Sequence, residues 1–509
     1  MRSRSIASTT TSRRAAPIAA RAASLLIVLG VLTAAHAAAA TATALAARPA
    51  DARALPRSVE AALAHGGVPR EAMTAWVQEV DGARPRVAWQ ADKPVNPASL
   101  MKLVTTFAGL ELLGPAYTWS TPVWLQGTVV DGVLAGNVVI KGNGDPKLVL
   151  ERMWLLTRRL QQAGVREIRG DIVLDRSAFV PGEVNPADFD GEPLRPYNAG
   201  ADALLLNYRA VLLTFTPDPA RGVATIAADP PLAGVRIDAA VPLAAGPCDD
   251  WRAALKGELA DPTQMHFAGV FQAGCGERVW PLAYADPKSY NQRAIAGLWA
   301  EQGGKLGGVV RDGAAPTTTP PTFELRSPTL ADVIRDINKL SNNVMAQQLF
   351  LTLGATQRGA GTPEAARDVV RQWLRGRVGA AAGAAVITNG SGLTRDSRLT
   401  AALLGRLLQA AWSSPVMPEL MSSLPVAGID GTLRRSKGIP GRAHLKTGSL
   451  RDVVGVAGYV LADSGRRYVV VGIVNHPNAN AARPALEALA EWAASDAPAL
   501  APLSPADPP

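Results

Sequence analysis

A helix with clear start and stop signals, residues 96–114, is the feature that most constrains how this chain folds. Asn96 can cap it, Pro97 suits its first position because a missing N–H is harmless there, and Gly114 can end it. Apolar residues recur between these signals with the 3.6-residue period of a helix that packs one face on a core: Leu100, Leu103, Val104, Phe107 and Leu110. With 48% hydrophobic residues in 509, the chain has ample material for such a core.

Ser99 and Lys102 share a face of this helix, because positions three apart are neighbours on a helix surface. Ser99 falls in the first turn, where backbone N–H groups lack helical partners and the helix dipole is positive, so an oxyanion would be favoured there. A lysine can act as the base for a serine if burial and a nearby cation lower its pKa. The pair is either an ordinary surface pair or a nucleophile with its base.

Two later elements favour the catalytic interpretation: an S-x-N at 341–343 and a K-T-G at 446–448. The S-x-N at 289–291 is a rival for the middle element, but 341–343 lies at a natural corner between two predicted helices. Taken singly, these elements are more typical of a helix cap and of a strand end. S-x-x-K, S-x-N and K-T-G in this order form the set of the penicillin-recognising serine enzymes.

The chemistry explains why these residue types are needed. Lys446 and Thr447 on a sheet-edge strand would present a cation and a hydroxyl to a substrate carboxylate, and Gly448 would let the substrate backbone pair as an added strand. The backbone N–H groups of Ser449 and Ser99 can form a two-donor oxyanion hole. A Ser-His-Asp triad has little support, because the few histidines lie in no recognisable motif and no G-x-S-x-G elbow occurs.

Residues 1–37 have the layout of a secretory signal: five arginines, an apolar run at 25–31 and a small-x-small site at 35–37. An uncleaved anchor is the alternative. Removing the five arginines lowers the formal net charge from +9 to +4, and no dense basic run remains, so nucleic acid is not an expected partner. No other segment could span a bilayer, so we expect export, with any membrane association peripheral.

The two cysteines, Cys248 and Cys275, predict one disulfide in an oxidising compartment. Closing that loop would contribute roughly 3 kcal/mol. Two free buried thiols are the alternative. A zinc site has less support, because only His266 lies nearby and four ligands are wanted.

Longer stretches extend the match well beyond the three motifs. The chain resembles the D-alanyl-D-alanine carboxypeptidase/endopeptidases among low-molecular-mass (class C) penicillin-binding proteins, the type with a large insertion after the S-x-x-K helix. The matching stretches are "NPASLMKLVTT", "GNVVIKGNGDPKL", "GDIVLDRSAF", "PYNAGADALLLNY", "DPKSYNQ", "NGSGLTRDSRLT", "LPVAGIDGTLRRS" and "HLKTGSLRDVVGVAGYV".

This resemblance implies an α/β (α+β) transpeptidase-like domain formed from both chain ends, with one or two inserted β-rich domains. The expected organisation is a signal peptide at 1–37, a disordered leader at 38–55, a catalytic domain at 56–118 and 283–497, an inserted domain at 119–142 and 222–282, a nested domain at 143–221 and a disordered tail at 498–509.

The resemblance also implies roles for the motif residues. Ser99 would be the acylated nucleophile, Lys102 its general base, and Ser341 the relay of a proton to the leaving nitrogen. The expected substrate-binding residues are Asn343, which would also contact Lys102, then Lys446 and Thr447 for the terminal carboxylate, and Thr432 near the pocket, together with Gly448 and Ser449. No metal or organic cofactor is expected.

A loop of the insertion, residues 185–197, is a candidate for reading the stem-peptide side chain before the two D-alanines, through Phe189, Asp190 and Tyr197. An unremarkable surface loop is the alternative for this segment.

The expected activity is serine-type hydrolysis of peptidoglycan stem peptides and cross-links in the periplasm, with β-lactam antibiotics as inhibitors. The alternatives are a serine β-lactamase and a non-catalytic peptidoglycan-binding protein. The sequence leaves a homo-oligomer open.

Overall fold

The computed structural model describes residues 54–182 and 185–496. The expected signal peptide at 1–37, nearly all of the expected leader at 38–55 and the expected tail at 498–509 lie outside these residues. None of the described helices is long and apolar enough to cross a membrane.

The helices and strands of the described residues are numbered in chain order. Helices α1 to α11 are Arg57–His65, Met101–Leu113, Leu150–Gln162, Trp251–Ala254, Tyr290–Glu301, Leu330–Lys339, Asn343–Arg358, Pro363–Val378, Ala401–Trp412, Met417–Ser423 and Arg483–Ala494. Strands β1 to β20 are Met73–Glu79, Val87–Trp89, Ser120–Val130, Val133–Lys141, Glu167–Ile168, Ile172–Asp175, Ala210–Asp218, Val223–Asp229, Arg236–Ile237, Ala240–Ala244, Gly257–Glu258, Gln264–Phe267, Phe271–Gln272, Arg278–Ala283, Lys305–Leu306, Val310–Asp312, Phe323–Arg326, Ala443–Leu450, Val453–Leu461 and Arg467–Asn475.

The principal sheet is antiparallel and has five strands in the order β18-β19-β20-β1-β2. Its strands come from residues 73–89 and 443–475, so the two ends of the chain build one sheet, as expected. Helices α2 and α6 to α10 pack on one face, whereas α1 and α11 cover the other. Because both faces are covered, β19 and β20 read as continuous Val-rich runs rather than alternating ones. The α/β class is confirmed.

Residues 120–326, the inserted region, form three further sheets. A seven-stranded sheet joins β3, β4, β5, β6, β15, β16 and β17, and residues 210–283 supply a five-stranded sheet (β13-β10-β8-β7-β14) and a three-stranded sheet (β11-β12-β9). These pairings group 120–141 with 305–326, not with 222–282 as the expected nesting had it. Hydrogen bonding between segments so far apart in the chain leaves no local signal, which is why the expected grouping differs; the domain boundaries themselves stay a prediction.

The expected disulfide is present. Cys248 and Cys275 are bonded, and Cys275 is buried in the core of the inserted region. His266, the only histidine near them in sequence, lies with its Nδ1 2.8 Å from Asp238 Oδ2. The described residues contain no group of three His, Cys, Asp or Glu side chains that could hold a metal ion.

The predicted helix at 96–114 is present but differs in two respects. Its first turn is a tight 3-10 turn, Ala98–Leu100, and the α-helix proper begins at Met101 and ends before Gly114. All ten residues from 101 to 110 are buried, so no polar face remains. The helix runs through the middle of the domain against α6, α7 and α8, and polar side chains such as Lys102 are therefore buried with the apolar ones.

Gly448 lets the edge strand β18 pack directly on the 3-10 turn. A Cβ at this position would lie 2.9 Å from Pro97 O and 3.3 Å from Ala98 Cβ. Besides any role toward substrate, the glycine of the K-T-G element therefore sets the approach of the strand to the turn that carries Ser99.

We expect Gly448→Ala to lower the free energy of unfolding by ~1–3 kcal/mol, because the added methyl group overpacks a contact with backbone that cannot move aside. Gly376→Ala is the matched control: Gly376 lies in α8, and a Cβ there would meet nothing within 4 Å. The control should gain ~0.5–1 kcal/mol. Denaturant unfolding followed by circular dichroism measures both, and equal stability of the two variants would contradict the packing argument.

Candidate active site

Lys102 lies at the centre of a cluster that includes two predicted motif residues, Ser99 in the 3-10 turn before α2 and Asn343 at the start of α7. Its Nζ is 2.9 Å from Ser99 Oγ and donates to Asn343 Oδ1 at 2.7 Å and to the Ser391 carbonyl oxygen at 2.7 Å. The side chain is fully buried. All three acceptors are neutral, so no carboxylate in the described chain pairs with this ammonium group.

Burial lowers the pKa of Lys102 well below the ordinary lysine value, and the charge of Lys446 lowers it further. Lys446 is also fully buried, and burial lowers its pKa to about 7. The loss of solvation therefore shifts the protonation equilibrium of both lysines toward the neutral amine. A neutral Lys102 beside the Ser99 hydroxyl is what a general base requires.

The S-x-N element at 341–343 occupies the corner between α6 and α7, as predicted. Asn342 caps α7 by accepting a hydrogen bond from Met345 N at 3.0 Å, which leaves its two neighbours to face the cluster. Ser341 has a positive φ of 56°, an uncommon conformation for a residue other than glycine. The rival S-x-N at 289–291 is remote: Tyr290 and Asn291 are buried in the core of the inserted region.

Lys446 connects the second and third motifs. Its Nζ donates to Ser341 Oγ at 3.0 Å and to the Thr447 carbonyl oxygen at 2.7 Å. Thr447 Oγ1 in turn lies 2.7 Å from Thr432 Oγ1, so this predicted site residue lies beside the K-T-G element. Hydroxyl groups of three separate chain segments, those of Ser341, Thr432 and Thr447, therefore line one cavity.

The edge of β18 presents backbone donors. Leu445 donates its N–H outward to the Pro425 carbonyl oxygen at 2.9 Å, away from β19. Because backbone directions alternate along a strand, Thr447 and Ser449 direct their N–H groups to the same outer edge. This geometry makes the Ser449 N–H available for an oxyanion and leaves a strand edge open to an extended peptide.

The turn at 389–392 completes the Lys102 cluster, and none of the three motifs points to it. Asn389 Oδ1 accepts hydrogen bonds from Ser391 N at 3.1 Å and Gly392 N at 2.9 Å, which holds the Ser391 carbonyl toward Lys102. A Cβ at Gly392 would lie 1.9 Å from Ala98 O, so only glycine fits there. The N-G-S-G run at 389–392 was the available signal, because such a run is typical of a side-chain-stabilised turn.

The loop at 185–197 reaches this cluster. Asn343 Nδ2 donates to the Tyr197 carbonyl oxygen at 3.3 Å, and the Tyr197 hydroxyl donates to Asp190 Oδ2 at 2.8 Å. The Arg395 guanidinium lies over the Phe189 ring at 4.9 Å. A loop of the inserted region therefore contacts the Lys102 cluster through Asn343, although the substrate contacts of this loop stay a prediction.

Comparisons with known proteins agree with this arrangement. The model of the D-Ala-D-Ala carboxypeptidase 3 (S13) family matches residues 55–496. A D-alanyl-D-alanine carboxypeptidase of Actinomadura is 27% identical over 79% of this chain and 78% of that protein. D-alanyl-D-alanine carboxypeptidase DacB of Haemophilus influenzae is 22% identical over 74% of this chain and 80% of its own length.

The fold has a close counterpart among solved structures. The crystal structure of penicillin binding protein 4 from Haemophilus influenzae superposes with a TM-score of 0.68 at 19% identity, covering 85% of this chain and 98% of that one. At this identity the likeness concerns the fold, including the inserted region. The family match over most of the chain carries the assignment: this chain belongs to the D-Ala-D-Ala carboxypeptidase 3 (S13) family.

Proposed function

We propose that this chain is a serine-type D-Ala-D-Ala carboxypeptidase and endopeptidase that acts on peptidoglycan stem peptides and cross-links through an acyl-enzyme on Ser99. The observation that carries the proposal is the 2.9 Å contact between Ser99 Oγ and the Nζ of a fully buried Lys102. A serine hydroxyl is a weak nucleophile at neutral pH unless a base takes its proton. The family assignment supports a peptidase rather than the alternative β-lactamase.

In acylation, neutral Lys102 takes the proton of the Ser99 hydroxyl as Oγ attacks the carbonyl carbon of the penultimate D-alanine. The N–H groups of Ser99 and Ser449 would stabilise the oxyanion that forms. Ser341 would relay the proton that Lys102 took up to the leaving nitrogen, so that the amine departs, Lys102 is neutral again and an ester remains on Ser99. Water then hydrolyses this ester, releases the shortened peptide and restores the hydroxyl.

Substrate would lie along the edge of β18 as an added strand. Asn343 would contact the substrate amide beside Lys102; its Oδ1 accepts from Lys102, and its Nδ2 donates to the Tyr197 carbonyl oxygen. Thr447 and Thr432 would meet the leaving residue. The loop at 185–197 would read the side chain that precedes the two D-alanines, through Asp190 above all, because its carboxylate is exposed.

A β-lactam resembles the D-Ala-D-Ala terminus and should acylate the same serine. Penicillin binding protein 4 of Haemophilus influenzae, whose fold this chain shares, has been solved in complex with a β-lactam. Since the substrates of this family belong to the cell wall, we also propose a location outside the cytoplasm, in the periplasm. Whether copies of the chain associate stays open.

We expect benzylpenicillin to form a single lasting adduct with the wild-type chain and none with Ser99→Ala, because the nucleophile is gone. Lys102→Ala should form it far more slowly, since the hydroxyl then lacks its base. Intact-mass spectrometry over several hours measures both effects. Ser289→Ala, at the rejected S-x-N, is the matched control and should label like the wild type. Rapid hydrolysis of benzylpenicillin without a lasting adduct would indicate a β-lactamase. If the chain forms no adduct and does not hydrolyse the drug, it would be a binding protein.

We expect Lys446→Met to shift the rising limb of the pH profile of acylation toward higher pH. The charge of Lys446 lowers the pKa of Lys102, so removing that charge raises this pKa, and Lys102 stays protonated to a higher pH. The rate constant of benzylpenicillin acylation, measured from pH 5 to 10, reports the limb. Thr447→Val, which keeps both lysines, should lower the rate without moving the limb. If the rising limb of Lys446→Met lies at the same pH as that of the wild type, the charge of Lys446 does not lower the pKa of Lys102.

We expect Asp190→Ala to reduce the preference for stem peptides with a cationic side chain before the D-alanines by about fivefold, the size of a ~1 kcal/mol partly exposed ion pair. The kcat/KM values for lysine-containing and neutral peptides give the ratio. Asp188→Ala is the matched control, because Asp188 is exposed on the same loop. If Asp190→Ala cleaves both peptides in the wild-type ratio, the loop does not read that side chain.

A further inference from the structure

A cavity of about 370 Å³ opens beside Ser99 and continues along β18 toward α11. At ~30 Å³ per water molecule it is large enough for roughly a dozen waters, so it extends well past the reacting atoms. Its lining combines hydroxyl groups, those of Thr432, Thr447 and Ser449, with apolar side chains that include Leu433, Ile439 and Leu486. This is the side of the site on which the leaving residue would lie.

Arg483, the first residue of α11, also lines this cavity and is exposed. Its Nη2 donates to Ser449 Oγ at 3.0 Å and to Asn480 Oδ1 at 3.2 Å. Both acceptors are neutral. Glu487 and Glu491 line the same cavity, yet none of the ion pairs between residues 54–182 and 185–496 involves Arg483. The guanidinium is thus anchored at the cavity with no carboxylate partner among the described residues.

Helix stability does not explain this placement. A cation in the first turn opposes the positive end of the helix dipole, so Arg483 lies at the unfavourable end of α11. The guanidinium and the dipole together make this side of the cavity attractive to an anion. Arg435, Glu487 and Glu491 also line the cavity, and of these charged groups it is Arg483 that lies at the positive end of α11 and on the Ser449 hydroxyl.

Lys446 is poorly suited to supply the permanent charge for such an anion. Its Nζ is buried, donates to Ser341 Oγ and the Thr447 carbonyl oxygen, and burial lowers its pKa to about 7. Burial therefore disfavours its charged form. A guanidinium keeps its charge throughout this range and offers a planar fork that matches a carboxylate.

We propose that Arg483 is a specificity-determining residue that binds the terminal carboxylate of the leaving D-residue, together with the hydroxyl groups of Thr447 and Ser449. Ser449 Oγ accepts from Arg483 and is free to donate its own proton to the same carboxylate. The inference rests on the proposed function, because it assigns the leaving side of that reaction. It separates two tasks: Lys446 serves the proton chemistry with Ser341, and Arg483 recognises the free carboxylate.

The test compares two substrates that differ only in this carboxylate, a peptide ending in D-Ala-D-Ala and the same peptide with a C-terminal amide. We expect Arg483→Ala to lower kcat/KM for the acid by roughly 10- to 100-fold, the range for a charged hydrogen bond, and to change the amide less than threefold. For Arg483→Lys, we expect a kcat/KM for the acid between the values of the wild type and of Arg483→Ala. Arg435→Ala, which removes a cation from the same cavity, is the matched control and should keep the wild-type ratio of acid to amide.

Benzylpenicillin and its methyl ester give the same comparison through the rate of adduct formation, so weak cleavage of the amide peptide does not block the test. If Arg483→Ala loses as much rate on the uncharged ligands as on the charged ones, the role of Arg483 is structural and the inference is overturned. An unchanged rate on both kinds of ligand would also overturn it. If the wild type neither cleaves the peptides nor forms an adduct, the proposed function itself is wrong and the inference falls with it. A wild type that reacts, with Arg483→Ala losing only the charged ligand, supports both.

Discussion

The burial of the Lys102 amine is the constraint on which the rest of the site depends. A charged ammonium group in a core is strongly disfavoured unless it is hydrogen-bonded, and here every partner is a neutral oxygen. A carboxylate partner would hold the charge and keep the pKa high. The neutral acceptors instead hold the amine in place while burial and Lys446 favour its deprotonated form.

That environment needs three parts of the chain at once. Helix α2 supplies the lysine, α7 supplies Asn343 at its first turn, and the turn at 389–392 supplies a backbone carbonyl. Close packing holds them in register: a Cβ at Gly109 would lie 3.0 Å from Leu349 of α7, and one at Gly392 would overlap Ala98 O. Rigid packing of this kind is what fixes catalytic groups within the small tolerance that proton transfer requires.

The inserted region is coupled to the same helix. Gln348, one and a half turns after Asn343 on α7, is fully buried; its Nε2 donates to the Asp202 carbonyl oxygen at 2.8 Å and its Oε1 accepts from Asp202 N at 2.9 Å. Asp202 is itself paired with Arg176 and Arg209 of the inserted region. The segment that follows the 185–197 loop is therefore anchored to α7, which explains how a loop of the insertion is held against Asn343.

The sequence by itself predicted the chemistry and determined the disulfide and the α/β class. Each motif is a local signal, because spacing on one helix and turn residues at a corner act over a few residues, and two cysteines allow one pairing. Only the tertiary structure decided that α2 is buried on every side, which strands of the insertion pair, and that Ser391 and Arg483 join the site. Each of these depends on segments brought together from far apart in the chain, and the free energy of such contacts comes from packing and burial that no local pattern records.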